Sequence, residues 1–204
     1  QPESSAASDV YKRQDVTPRN LKGAQINAIE VSPHEPGVAY IAVAGYKMND
    51  FEPYIYKLTD FGKRWMRLDS DLPDDNFVRV VRADPEREGL LYAGSEGGLF
   101  VSFDDGDHWQ SLNMNFPTVP ITDLRVRQNT LIAATQGRGF WALDELTVIR
   151  QLNVNLSEKR LHVFKPKPSS LMRWGGRTAA NEGKNPPSGV CLLYTSDAAD
   201  DSGC

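Results

Sequence analysis

Residues 90–109 read LLYAGSEGGLFVSFDDGDHW, from Leu90 to Trp109. Leu90, Leu91, Tyr92 and Ala93 form a short apolar run that Gly94 and the pair Gly97-Gly98 bring to a stop. Leu99, Phe100 and Val101 form the next run, ended by Asp104, Asp105 and Gly106 before Trp109 restores apolar character. Runs this short, bounded by turn residues, read as strand, turn, strand, tight turn and a third strand. The second turn carries Ser102, Asp104, Gly106 and Trp109 in the spacing S-x-D-x-G-x-x-W. An Asp early in a turn accepts hydrogen bonds from backbone N–H groups one or two residues on. The Gly reaches a positive φ that other residues reach only at a cost. The Trp then folds over the hairpin it follows and buries a large apolar area.

Working outward, the chain repeats itself. INAIEVSPHEPGVAYIA (Ile26 to Ala42) aligns with VRVVRADPEREGLLYAG (Val78 to Gly94) without a gap, at an offset of 52 residues. YKLTDFGKRW (Tyr56 to Trp65) aligns with FVSFDDGDHW (Phe100 to Trp109) at an offset of 44, so the first copy holds eight extra residues around Val43 to Pro53. That copy keeps Asp60, Gly62 and Trp65 but has Leu58 where the serine belongs. A third copy runs from Ile121 to Asp144, with Gly137, Phe140 and Asp144 at the places of Gly97, Phe100 and Asp104 at an offset of 40. Glu145-Leu146-Thr147 then supplies neither the glycine nor the tryptophan, as a terminal repeat would read. Units of about 40–50 residues with four short strands each are the size of propeller blades. The expectation is therefore all-β: a partial β-propeller over 15–152, of about three four-stranded blades near 26–68, 78–112 and 121–152. An irregular linker over 153–190, leading toward a C-terminal domain, is expected to follow.

The two ends read differently. SSAASDVYKRQ (Ser4 to Gln14) and CLLYTSDAADD (Cys191 to Asp201) are translations of one DNA sequence read in opposite directions. They resemble a transposase sequencing adapter on either side of an insert, so 1–14 and 191–204 are set aside from the fold. Cys191 and Cys204 both fall in the second segment, which leaves no disulfide and no cysteine metal site between. Removing Asp197, Asp200 and Asp201 also moves the net charge from −4 to −1. A near-neutral insert has no basic footprint for nucleic acid, and no apolar run is long enough to span a membrane.

The S-x-D-x-G-x-x-W turn resembles the Asp-box, or bacterial neuraminidase repeat. With GRGFWALDELTVIRQL (Gly137 to Leu152), the chain from Ile26 to Val190 resembles the sortilin-like, Asp-box propeller proteins of bacteria, often labelled glycosyl hydrolases. The resemblance implies a secreted or periplasmic protein whose Asp-boxes lie on peripheral hairpins away from the ligand face. KPKPSSLMRWGG resembles the linker such proteins place before an immunoglobulin-like domain. The arginine triad and nucleophilic tyrosine of sialidases find no positions here, so that activity is not carried over.

Candidate sites are few. Asp69, Asp71, Asp74 and Asp75 lack the spacing and central glycine of a calcium loop and read as a polar loop between blades. His34, His108 and His162 show no metal-ligand spacing and read as solvated. Arg79, Arg82, Arg125 and Arg127 lie on or beside first strands, which line a propeller's channel. They face an anionic ligand or, as the preferred reading, pair with Asp84 or Asp123. Arg138, between two glycines, is the most exposed candidate contact, so Arg138, Arg79 and Arg125 are the candidate binding residues. Asp60, Gly62, Trp65, Ser102, Asp104, Gly106 and Trp109 are read as structural. Asp123, Asp144 and Glu145 are the right type for a glycosidase, but a catalytic pair must face across a cleft. No catalytic set, metal site or cofactor is assigned. Two functions follow: a module binding a protein or glycan, or a glycoside hydrolase whose carboxylates lie partly in other blades. Three blades cannot close a ring, so the remaining blades and the C-terminal domain are expected partners, and two open faces favour aggregation.

Overall fold

The computed structural model describes residues 16–17, 21, 23–152 and 163–166. Segments 1–14 and 191–204, and the 153–190 linker apart from 163–166, lie outside them. The first sheet holds β1 (Gln25–Val31), β2 (Ala39–Gly45), β3 (Asp50–Thr59) and β4 (Arg64–Arg67). The second holds β5 (Val78–Ala83), β6 (Leu91–Ser95), β7 (Gly98–Ser102) and β8 (Gln110–Ser111). The third holds β9 (Ile121–Arg127), β10 (Thr130–Thr135) and β11 (Phe140–Asp144). A short helix, α1 (Leu146–Gln151), follows. Each sheet is an antiparallel meander in chain order. Each four-stranded unit therefore places its first-to-second and third-to-fourth turns at one end, and its second-to-third turn and connectors at the other.

The register repeats with the sequence. Ala42 stands opposite Ala28 and Ile55, and Gly94 stands opposite Val80 and Leu99. Alternation then sends Ile29, Ile41 and Tyr56 to one face of the first sheet, as it sends Val81, Ala93 and Phe100 to one face of the second. The sheets stack face to face: β5 packs on β1 and β2 on one side and on β9 on the other. One core cluster joins Tyr40, Ala42 and Ile55 to Val81, Phe100 and Trp109. A second joins Val80, Tyr92 and Leu99 to Ile121, Leu124 and Leu131. Because the second sheet is covered on both faces, all five residues of β6 are buried. Each fully buried Val or Leu contributes about 1.5–3 kcal/mol. Gly94 sets the approach of the third sheet, since a Cβ there would meet Ile121 Cγ2 at 2.6 Å and Val80 Cγ1 at 2.8 Å. This stack of like meanders is part of a β-propeller.

Two details differ from the sequence reading. The third sheet has three strands, not four, among the described residues. After β11, Glu145 takes φ 68° and Leu146 inserts fully buried into the second core, its N–H bonded to the Asn129 carbonyl at 3.0 Å. That anchor starts α1 where a fourth strand would begin. The equivalence of Phe140 with Phe100 also fails. Phe100 stands opposite Ala93, but Trp141 stands opposite Ala133, so the β10–β11 hairpin is one residue longer. Trp141 packs into the core against Phe116, ring centroids 5.1 Å apart, while Phe140 is 81% exposed.

Candidate functional site

The turn between β7 and β8 is a closed hydrogen-bond cycle. Ser102 donates its hydroxyl to Asp104 Oδ1 at 2.8 Å and accepts the Gly106 N–H at 2.8 Å. Asp104 Oδ1 accepts the N–H of His108 at 2.9 Å, four residues on and not one or two. Its Oδ2 lies 2.7 Å from His108 Nδ1, so His108 is exposed yet partnered and not merely solvated. Burial pushes the Asp104 carboxyl up, but the donors from His108 and Ser102 outweigh it and hold it below its ordinary value. The bond to Asp104 raises the His108 imidazole above its ordinary value. Asp105 and Gly106 adopt φ of 64° and 96°. Trp109 does not simply roof its own hairpin: its indole N–H reaches the Leu68 carbonyl at the end of the first sheet, at 2.7 Å.

The turn between β3 and β4 is the looser relative. Leu58 brings no hydroxyl, and Asp60 forms only a 3.7 Å ion pair with Lys63 among the described residues. Trp65 donates to the Gly62 carbonyl of its own turn at 3.1 Å. Both turns nevertheless dock on the first hairpin of their sheet in the same way. The Phe61 N–H bonds the Gly37 carbonyl at 3.0 Å, and the Asp105 N–H bonds the Gly89 carbonyl at 2.8 Å.

A cleft of about 310 Å³ opens between the first two sheets beside these turns, lined by His34, Tyr40, Lys57, Arg87 and Asp105 among others. Its polar groups serve one another. Tyr40 donates to Asp105 at 2.5 Å, and the Lys57 ammonium pairs with the same carboxylate. Burial and Asp105 push the Tyr40 hydroxyl far up, which keeps it a neutral donor. His34 is exposed, and its Nε2 meets the Asp84 carbonyl at 2.7 Å. Arg87 donates to the carbonyls of Ile149 and Arg150 at the end of α1, at 2.9 and 3.2 Å. The cleft works as a joint between units.

The arginines divide. Arg82 pairs with Asp123 at 2.7 Å, as preferred from sequence, and also with Glu30 at 3.5 Å, so one guanidinium ties together the first strands of all three sheets. Burial raises the Glu30 carboxyl, and Arg82 pulls it back. Arg79 pairs with Glu96, and not with Asp84 or Asp123, because the β6–β7 turn folds over the start of β5. Asp84 is fully buried; Arg150 Nε donates to both of its carboxylate oxygens at 3.0 Å, beside the Glu86 and Arg87 N–H groups on Oδ1 and the Tyr92 hydroxyl on Oδ2. Arg125, at the register position that Arg82 holds in the second sheet, is exposed and carries no side-chain hydrogen bond or ion pair among the described residues. Arg138 is exposed in the β10–β11 turn, where its carbonyl accepts the Trp141 indole at 3.2 Å. The three candidate arginines thus have three different settings: one paired with Glu96, one exposed on a strand, one exposed in a turn.

The carboxylates proposed by type are likewise engaged. Asp123 faces Arg82, Asp144 accepts the Thr130 hydroxyl at 2.9 Å, and Glu145 accepts from Asn129 at 3.1 Å. Asp69 accepts from Arg67 in the connector between the first two sheets. Among the described residues, no three of His, Cys, Asp and Glu gather closely enough to hold a metal ion. No described helix is long and apolar enough to cross a membrane.

One feature escaped the sequence reading. The eight extra residues of the first unit build a 3-10 turn (Tyr46–Met48) and the start of β3 at the connector end. Tyr46 stacks on the buried Phe77 ring, centroids 5.2 Å apart and planes at 19°, and Phe51 lies 6.4 Å from the same ring. Tyr46, Met48 and Phe51 are 38%, 49% and 41% exposed. The Arg79 guanidinium sits 5.2 Å over the same Phe77 ring and is neutralised by Glu96. Large apolar side chains crowded inside an insertion, with Tyr46, Met48 and Phe51 in six residues, were the available signal.

No protein-family model matches the chain, and no curated protein does. Solved structures similar to it include a GH74 xyloglucanase from Xanthomonas campestris, at 19% identity and TM-score 0.47, covering 61% of this chain and 21% of that one. A GH74 enzyme from Niastella koreensis is similar at 18% identity and TM-score 0.47, covering 59% and 21%. YCF48 from Cyanidioschyzon merolae is similar at 18% identity and TM-score 0.40, covering 57% and 39%. The chain spans about a fifth of the length of the two GH74 enzymes.

Proposed function

We propose that the chain is a recognition unit, part of a propeller that binds another protein through the connector end of its first two sheets. The supporting observation is the patch that Tyr46 and Phe51 form on Phe77, with Met48 exposed in the same turn, built from residues that the second unit does without. A polar turn of two residues, Glu96-Gly97, closes the equivalent hairpin of the second sheet. The first unit instead spends its extra length on exposed apolar side chains, which mark interaction sites when they cluster. Methionine and aromatic side chains adapt to a protein surface and carry much of its binding energy. The neighbouring Arg79–Glu96 pair supplies a polar rim with no net charge. The resemblance to Asp-box propellers supports a secreted or periplasmic setting.

The test is binding of the purified chain to an immobilised peptide library and a glycan panel, with Tyr46→Ala/Phe51→Ala as comparison. Peptide binding weakened at least tenfold by the double substitution supports the reading, at about 1.4 kcal/mol per tenfold. Glycan binding alone, release of sugar from a glycan, or peptide binding indifferent to the substitutions contradicts it.

A further inference from the structure

We infer that the segment received by the Tyr46–Phe51 patch is basic: a large apolar side chain flanked by lysine or arginine. This rests on the patch being the binding surface and adds the chemistry of what it binds. Carboxylates border the rings from two elements. Asp50 precedes Phe51 in β3, and its oxygens accept the Glu52 N–H at 3.1 Å and the Tyr54 hydroxyl at 2.8 Å. Asp74 and Asp75 form an exposed turn in the connector, three and two residues ahead of Phe77, the ring on which Tyr46 and Phe51 pack. Among the described residues, none of these three carboxylates forms an ion pair.

The charge left over is negative. Glu96 neutralises Arg79, and Arg67 is shared by Glu52 at 3.3 Å and Asp69 at 2.5 Å. Lys47 adds a third cation, so six carboxylates stand against three cations, a balance of −3. The rings carry an independent preference of the same sign. Tyr46, Tyr54 and Phe77 each hold a cation over one face: Lys47 at 5.9 Å, Arg67 at 4.7 Å and Arg79 at 5.2 Å. An aromatic face attracts a cation through its quadrupole, more strongly as water is excluded. Phe51, 41% exposed, holds none among the described residues, and offers that place to a basic side chain of the partner. An acidic segment would instead bring like charges against Asp50, Asp74 and Asp75. Apolar contact on the rings supplies most of the affinity, while the carboxylates select the sign of the partner and speed its encounter.

The probes are three short synthetic peptides with one tryptophan–leucine centre, flanked on each side by lysines, by serines or by glutamates. Their binding to the whole chain is read by fluorescence anisotropy. The lysine peptide is expected to bind about tenfold more tightly than the glutamate peptide at about 0.05 M salt, and to lose that margin at about 0.5 M. Asp74→Asn/Asp75→Asn keeps a residue type that tolerates the positive φ of Asp75. It is expected to weaken the lysine peptide several-fold and to leave the serine peptide unchanged. Equal binding of all three peptides, each weakened by Tyr46→Ala/Phe51→Ala, overturns the basic partner and leaves the patch as the binding surface. So does a lysine preference that Asp74→Asn/Asp75→Asn fails to reduce. Lysine-peptide binding that survives Tyr46→Ala/Phe51→Ala overturns both readings. Absence of lysine-peptide binding, or tighter binding of the glutamate peptide, overturns this inference alone, because the peptide library decides the patch separately.

Discussion

Trp109 donates its indole N–H to the carbonyl of Leu68, 41 residues earlier and on the neighbouring sheet, at 2.7 Å. The bond makes the acidic turn of one unit the clasp on the end of the unit before it. Gly106 lets the turn come close, and the Ser102–Asp104 cycle fixes the angle at which the indole leaves.

Replacing Trp109 by Phe removes the donor and leaves the carbonyl of the buried Leu68 unpaired. The expected loss is about 1–3 kcal/mol in a urea titration. Trp65→Phe, which breaks a bond only within its own turn, is expected to cost less. Equal losses for the two would argue against the clasp.

Asp84 and Arg150 form the most buried ion pair among the described residues, with side chains 0% and 9% exposed. Through it α1 is locked beneath the β5–β6 turn. Arg150→Met leaves a buried carboxylate with only backbone donors and Tyr92, so a loss of about 3–5 kcal/mol is expected. The Asp84→Asn/Arg150→Met double variant is expected to recover much of it. A double variant no better than the single would show that the pair is not what holds α1.

The Asp104–His108 contact ties the turn to pH. The lowered carboxyl stabilises the fold above its unfolded value of 3.8, and this is lost as pH falls through the folded value. The raised imidazole stabilises it below its unfolded value of 6.5, and this is lost as pH rises through the folded value. Between about pH 4 and 6.5 both act. Melting temperatures of the wild-type chain and His108→Gln are therefore expected to diverge most in that window and to converge above it. Parallel profiles across pH 4–8 would rule the contact out as a source of pH dependence.

Phe140 takes the register position of Leu99, which is 4% exposed between the second and third sheets, yet Phe140 is 81% exposed. Phe140→Ser is expected to reduce light scattering at high concentration while leaving the melting temperature unchanged. A marked fall in melting temperature would mean that the ring is packed.

The 52-residue repeat was legible because alternation at Ile26–Val31 and Val78–Ala83 meets the same Pro, Gly and Tyr landmarks in both copies. The failure of the third unit was also visible at Glu145, where glycine and tryptophan disappear. The extra residue in the β10–β11 hairpin was not, because Gly137 and Gly139 each offer an alignment with Gly97 and only the pairing of Ala133 with Trp141 decides. Long-range partners were hidden for a physical reason. Arg79 and Glu96 meet only when a turn folds over a strand, and Asp84 meets Arg150 only when α1 comes back under the second sheet. Tyr46, Met48 and Phe51 stood within six residues and were a signal, but the insertion that holds them read only as added length.

The face-to-face stacking of the units is tested most directly by hydrogen exchange of the indole N–H groups, followed by NMR. Stacking predicts that Trp109, buried and bonded across two sheets, exchanges far more slowly than Trp65 and Trp141, whose N–H groups bond only within their own turns. Exchange at Trp109 as fast as at those two would contradict it.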